Sequence, residues 1–186
     1  MSASMPLHLP DAVLDFWFDD IDPKLWFAKS DDFDRLIETR FGATHAAAER
    51  CELAHWRDTA TGRLAEIIVL DQFSRNIWRD TPRAFASDPL ALALAQTAVA
   101  TGADRQFDAT RQAFLYMPYM HSESALIHAT AVQLFSAPGL ENNLTFELRH
   151  QAIIERFGHY PHRNRILGRT STPEEVEFLK TPGSGF

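Results

Sequence analysis

The sequence predicts an all-α protein whose successive helices pack as antiparallel pairs, and three observations carry that reading. Apolar residues recur at three- and four-residue spacing along most of the chain. Helix start and stop signals punctuate it repeatedly. No segment alternates apolar and polar residues over a strand's length between turn signals.

Pro10 and Asp11 open a first helix through Phe18, with Val13, Phe16 and Trp17 on one apolar face. Asp22 followed by Pro23 repeats the signal and presents Trp26 and Phe27. Ser30 is placed to cap a helix that continues to Arg50. Phe33, Leu36, Ile37 and Phe41 form its stripe, and Asp31, Asp32 and Asp34 crowd the end where the helix dipole favours negative charge. Thr61 is the expected cap for the run from Leu64 to Trp78. The first half of that run is apolar on nearly all sides, which marks a central, buried helix.

Asp88 and Pro89 start an Ala- and Leu-rich helix that stops at Gly102. Another helix runs from Asp108 to Tyr116, where Pro118 is expected to kink or break it. His121, Ser122 and Glu123 then fall in the first turn of a helix reaching Ser136, which would put His121 and His128 on one face. Asn143 is the expected cap of the helix that stops at Gly158, a residue suited to the left-handed conformation beyond a helix end. Thr172, Pro173, Glu174 and Glu175 satisfy the capping-box pattern for a short helix through Lys180. The chain reads as one helical domain over residues 1–186, with 1–9 and 181–186 as flexible ends.

At 186 residues the chain is long enough to bury roughly 70% of its unfolded surface in a single core. Hydrophobic residues at 45% and charged residues at 23% fit a soluble globular protein. A single cysteine, Cys51, excludes an internal disulfide framework, and no basic-plus-apolar leader or membrane-length apolar run is present. The expected location is therefore the cytoplasm, with no membrane partner. A formal net charge of -7 argues against a nucleic-acid partner.

One segment departs from that acidic background. Arg156 to Arg169 carries Arg156, Arg163, Arg165, Arg169, His159 and His162 and no carboxylate. Within it His162, Arg163 and Asn164 offer imidazole, guanidinium and amide in succession, donors suited to a carboxylate or phosphate. Elsewhere Asp71 and Arg75 lie four apart with Gln72 and Asn76 beside them. Their neighbours Leu70, Phe73, Ile77 and Trp78 argue that this pair is buried and must find polar partners.

Several runs together resemble one family: Phe16-Trp17-Phe18, Trp26-Phe27, Asp71-Gln72-Phe73 with Arg75-Asn76, His121-Ser122-Glu123, and Phe157-Gly158 leading into PHRN-x-x-LGR. The chain resembles the bacterial domain of unknown function 924 family from Val13 to Leu179. That resemblance implies an irregular α-α superhelix similar to tetratricopeptide-repeat folds and implies no particular activity. Asp71, Arg75, His121, Glu123, His162, Arg163 and Asn164 match the family motifs. The chain departs from the pattern at His159 and Tyr160, where FGRFPHRN is usual, and at His128, where glutamine is common.

The three polar segments are expected to converge. If the region is open, Arg75, Asn76, His121, Glu123, His162, Arg163, Asn164 and Arg169 form a site for a small anionic molecule, with Glu123, His121 or Asp71 as candidate catalytic groups. If it is closed, the same groups are a structural network fixing helix register, and the protein is a scaffold binding a peptide or another protein. A metal-assisted or acid/base hydrolase is the remaining alternative. His121, Glu123, His128, His159 and His162 are conceivable ligands, but neither an HExxH nor a second cysteine accompanies them, so no metal or cofactor is assigned. Ser74 or Ser122 with His121 and Asp71 would make a nucleophilic triad, without the GxSxG elbow that usually supports one.

Overall fold

An aromatic cluster seeds the N-terminal half. Helix α1, Pro10–Asp15, passes directly into a π-helical turn, Phe16–Asp20, which aims Phe16 and Trp17 inward. Trp17 meets Phe73 and Phe114 edge-on at 5.6 and 5.7 Å, and Phe16 lies 4.9 Å from Phe41. The Trp26 indole donates to the Trp17 carbonyl at 2.8 Å, tying the following turn to this cluster. The structure, a computed structural model, describes residues 7–185. Residues 1–6 and Phe186, expected as parts of flexible ends, lie outside the described residues.

Helix α2, Asp31–Glu49, starts where Ser30 Oγ accepts from Phe33 N at 3.3 Å, as its sequence signal requires. Helix α3, Ala60–Ile68, continues through a π-helical turn, Val69–Phe73, into α4, Ser74–Ile77. Leu64, Ala65, Ile67, Ile68, Val69, Leu70 and Phe73 are all fully buried, so this is the central helix of the core. It begins earlier than Leu64, and its cap is Thr59 rather than Thr61: Thr59 Oγ1 accepts from Gly62 N at 3.0 Å. The early start depends on Gly62, where a Cβ would sit 1.9 Å from the Trp56 carbonyl oxygen.

The remaining helices are α5, Asp88–Ala100; α6, Ala109–Met120; α7, Ala125–Phe135; α8, Glu141–Phe157; α9, Asn164–Leu167; and α10, Pro173–Phe178. Helix α5 packs on α6, α6 on α7 and α7 on α8, while α3 touches α5 and α6. No strand occurs among the described residues, and none of their helices is long and apolar enough to cross a membrane. Gly102 and Gly158 adopt φ of 72° and 74° beyond α5 and α8, as their positions required.

Three local expectations are corrected. Pro118 does not end its helix: it lies in the last turn of α6, where the turn still closes through His121 N on the Met117 carbonyl at 2.9 Å. His121, Ser122 and Glu123 consequently form the link between α6 and α7 rather than the first turn of α7, and His121 and His128 belong to different elements. Helix α8 starts at Glu141, not Asn143, with the Glu141 carboxylate accepting from Gly139 N at 3.0 Å. The stretch after α10 turns back so that Ser184 Oγ donates to the Leu179 carbonyl at 3.1 Å.

Candidate functional site

Four elements deliver the polar groups. The π-helical turn of the central helix carries Asp71 and Gln72, the first turn of α5 carries Asp88, the α6–α7 link carries His121 to Glu123, and the turn before α9 carries Arg163. A π-helical turn adds a residue to the helical repeat, and such turns recur at functional sites because they redirect the side chains they carry.

Asp71 is the buried centre, with 0% of its surface exposed. His121 Nδ1 lies 2.7 Å from its Oδ1, Gln72 Nε2 donates to Oδ2 at 2.7 Å, and Arg75 stands 3.3 Å away. Burial alone would raise the Asp71 carboxyl, but His121 and Arg75 outweigh it and hold the group down at about 2. An ionised carboxylate only accepts hydrogen bonds, so His121 Nδ1 carries the proton. Burial and the Arg75 charge lower the His121 pKa against the pull of Asp71, leaving a neutral ring at pH 7 whose lone pair is on Nε2.

Arg75 forms a fork on Asp88, at 2.8 and 3.0 Å, and also donates to the Asp71 carbonyl at 2.9 Å. Burial would lower its pKa, but Asp88 and Asp71 raise it instead. Arg163, 6% exposed, is held differently. It donates to the His121 carbonyl at 3.0 Å, reaches Asp88 only at 3.5 Å, and lies over the Phe85 and Tyr160 rings, each centroid 4.6 Å away. Its Nε is buried without a hydrogen-bond partner. Burial and the neighbouring Arg75 push the Arg163 pKa down.

Glu123 is clasped from the other side. Arg169 donates to both its oxygens at 2.8 Å, and Tyr160 N donates at 2.8 Å, which outweighs burial and lowers the carboxyl. Beneath it Tyr160 donates to the Met120 carbonyl and lies 3.2 Å from His128 Nε2, whose ring also bonds Glu147 at 2.6 Å. Glu147 is fully buried, and that burial raises its carboxyl.

These groups border an open cavity of about 410 Å³. Its floor is apolar, from Pro82, Phe85, Leu92, Pro118 and Leu167. Asp88, His121, Ser122, Glu123 and Arg163 supply its polar wall. His121 is one of the residues of that wall, and its Nε2 makes no hydrogen bond among the described residues.

Of the residues expected at the site, His121, Glu123 and Arg163 line the cavity, while Asp71, Arg75 and Arg169 stand directly behind them. His162 sits against the Tyr160 ring at 5.4 Å and is not a lining residue. Asn76 turns away to donate to Asp34 at 2.8 Å, and Asn164 reaches Ser171 and Glu175. Neither is among the residues that line the cavity. Among the described residues no three His, Cys, Asp or Glu side chains gather to hold a metal ion; His159 faces Glu175 and His128 faces Glu147 instead. Ser74 bonds His45 and the Leu70 carbonyl, away from His121. Asp88 and Phe85 were not among the expected site residues. Asp88 marked a helix start, and its second role depends on Arg75 and Arg163 arriving from distant segments.

Residues 13–183 match the family model described as "Bacterial protein of unknown function (DUF924)". A solved structure of the protein of unknown function ATU0120 from Agrobacterium tumefaciens is 38% identical, with a TM-score of 0.88 over 92% of this chain and 96% of that one. No curated protein matches the chain.

Proposed function

The chain belongs to the DUF924 family of bacterial proteins, and we propose that the cavity bordered by His121 and Arg163 binds a small anionic ligand, a carboxylate or phosphate carried on an apolar body. The single observation behind this is the state of Arg163. Each nearby carboxylate has closer partners of its own: Asp88 has the Arg75 fork, Glu123 has Arg169, and Asp71 has His121, Gln72 and Arg75. Arg163 is left with a 3.5 Å contact to Asp88 and a backbone carbonyl. A buried guanidinium so weakly neutralised favours an added anion, and a planar fork suits an oxyanion.

The apolar floor sets the other half of the ligand. Phe85, Leu92 and Leu167 offer surface to a short hydrocarbon, and a cavity of about 410 Å³ is within the range of small-molecule sites. Hexanoate, acetate and inorganic phosphate separate the two contributions. In a thermal-shift assay hexanoate at a hundredfold excess over Kd stabilises by about 2.7 kcal/mol, a rise of several degrees for a domain of this size. Acetate and phosphate give smaller rises, a carboxylate preference showing as acetate above phosphate. Arg163→Lys keeps the charge without the fork and weakens the hexanoate effect; Arg163→Ala abolishes it. Equal shifts in wild type and Arg163→Ala, or none with any of the three anions, contradict the reading.

A further inference from the structure

Resting on that anion-site reading, we propose that the cavity is an active site for hydrolysing esters of short apolar acids, with His121 Nε2 as the general base toward water. The geometry supplies the parts in order. Asp71 holds Nδ1 at 2.7 Å and fixes the ring of a residue that lines the cavity, which leaves Nε2 as the nitrogen whose lone pair is not engaged among the described residues. The Arg163 guanidinium is anchored on the backbone carbonyl of that same residue at 3.0 Å, so the cation is tied to the residue that carries the base, and both line the cavity. Neither candidate serine is engaged as a nucleophile. Ser74 is bound to His45 and Leu70, and no hydrogen bond joins the Ser122 hydroxyl to the His121 ring among the described residues.

The reaction closes on its own atoms. A water oxygen attacks the ester carbonyl carbon while one of its protons passes to His121 Nε2, and the carbonyl electron pair moves onto an oxygen facing Arg163. The tetrahedral intermediate collapses, the bond to the alcohol oxygen breaks, and the proton on Nε2 transfers to that oxygen. His121 is neutral again. The acid product loses its remaining acidic proton to solvent and is the apolar carboxylate that the anion site holds. Water and ester give acid and alcohol, with no oxidant or further co-reactant. Asp71 is a positioning residue, since it acts only through the His121 ring.

The charged or titratable groups that face His121 are Asp71 and Arg75 from the central helix, Asp88 from α5, Arg163 from the turn before α9 and His150 from α8. They predict a rate that falls on acidification below the ordinary imidazole range and is flat above it, because protonated His121 cannot accept a proton. The experiment is steady-state hydrolysis of 4-nitrophenyl hexanoate by the full chain, followed over many turnovers from pH 5 to 9, alongside hexanoate thermal shifts.

The expected result is multiple turnover, competitive inhibition by hexanoate, and a loss of about 10²-fold or more in His121→Gln, the scale of one general base. Asp71→Asn lowers kcat and moves the acid limb while hexanoate still raises the melting temperature. If His121→Gln does not fold, the wild-type profile decides alone: a rate that climbs tenfold per pH unit through pH 9 overturns the proposal. Turnover in folded His121→Gln equal to wild type overturns it too. Wild type that is stabilised by hexanoate but does not turn over the ester sinks this inference and leaves the anion site standing. Absence of both effects removes the two together.

Discussion

His121 Nδ1 lies 2.7 Å from Asp71 Oδ1, although the two residues are 50 positions apart in the chain. One comes from a π-helical turn of the most buried helix and the other from the link after α6. The bond fixes a tautomer as well as a contact, since the ionised carboxylate can only accept. Asp71→Asn keeps the shape and removes the charge that Arg75 and His121 face. The expected loss is about 1–3 kcal/mol in urea unfolding, the usual range for a damaged buried hydrogen bond. An unchanged midpoint would show that the pair contributes nothing to the fold.

Acidification is expected to destabilise the protein before its carboxylates titrate. Burial lowers the pKa values of His45, His121, His150 and His162, to about 3 for His150 and about 4 for His162. Below the ordinary imidazole pKa the unfolded chain takes up protons that these folded rings refuse, so stability falls as pH falls. Each ring adds a slope of up to about 1.4 kcal/mol per pH unit between pH 6.5 and its folded value. Asp71 adds a further loss from about pH 4 down towards its folded value of about 2. Glu147, whose carboxyl is raised by burial, works in the opposite direction and offsets part of the loss. Urea midpoints measured from pH 7 to 4.5 should decline steadily, and His150→Gln should decline less. A flat profile contradicts the burial of these rings.

The two places where the sequence departs from the family pattern meet in space. Tyr160 oxygen lies 3.2 Å from His128 Nε2, and the same hydroxyl donates to the Met120 carbonyl. A tyrosine at 160 gives the His128 ring a polar neighbour in a fully buried position. Tyr160→Phe is expected to cost about 1 kcal/mol, the net worth of one such bond, plus any penalty for the stranded carbonyl. Chemical denaturation measures it, and a stabilised variant would show that the hydroxyl is a burden there.

Helix existence and the buried central run were legible because they rest on local periodicity and capping. Ser30, Thr172, Gly102 and Gly158 all act where their types suggested. Thr59, not Thr61, caps the central helix, which begins at Ala60 and brings Gly62 so close to the Trp56 carbonyl that no side chain fits there. The polar segments could be singled out, but their pairing could not. Arg75 chose Asp88 through its fork, and Glu123 took Arg169, so Arg163 was left without a close carboxylate. That outcome depends on where four separate elements cross. Asn76 and Asn164 have the chemistry expected of site residues, but their side chains bond Asp34, Ser171 and Glu175 instead of lining the cavity.

Gly158 tests the backbone account in isolation. A Cβ there would meet nothing within 4 Å, so crowding is absent, while φ is +74°. Gly158→Val should therefore lose stability through conformation alone, by about 1–2 kcal/mol. A melting temperature within error of wild type would mean that α8 can end without a left-handed residue.

The proposed anion site is tested most directly by a crystal structure of the protein with hexanoate. The carboxylate is expected within hydrogen-bond distance of the Arg163 guanidinium and beside His121 Nε2, with the hydrocarbon along Phe85, Leu92 and Leu167. Hexanoate found elsewhere on the molecule, or a cavity closed by Arg163 swinging onto Glu123, would contradict the account.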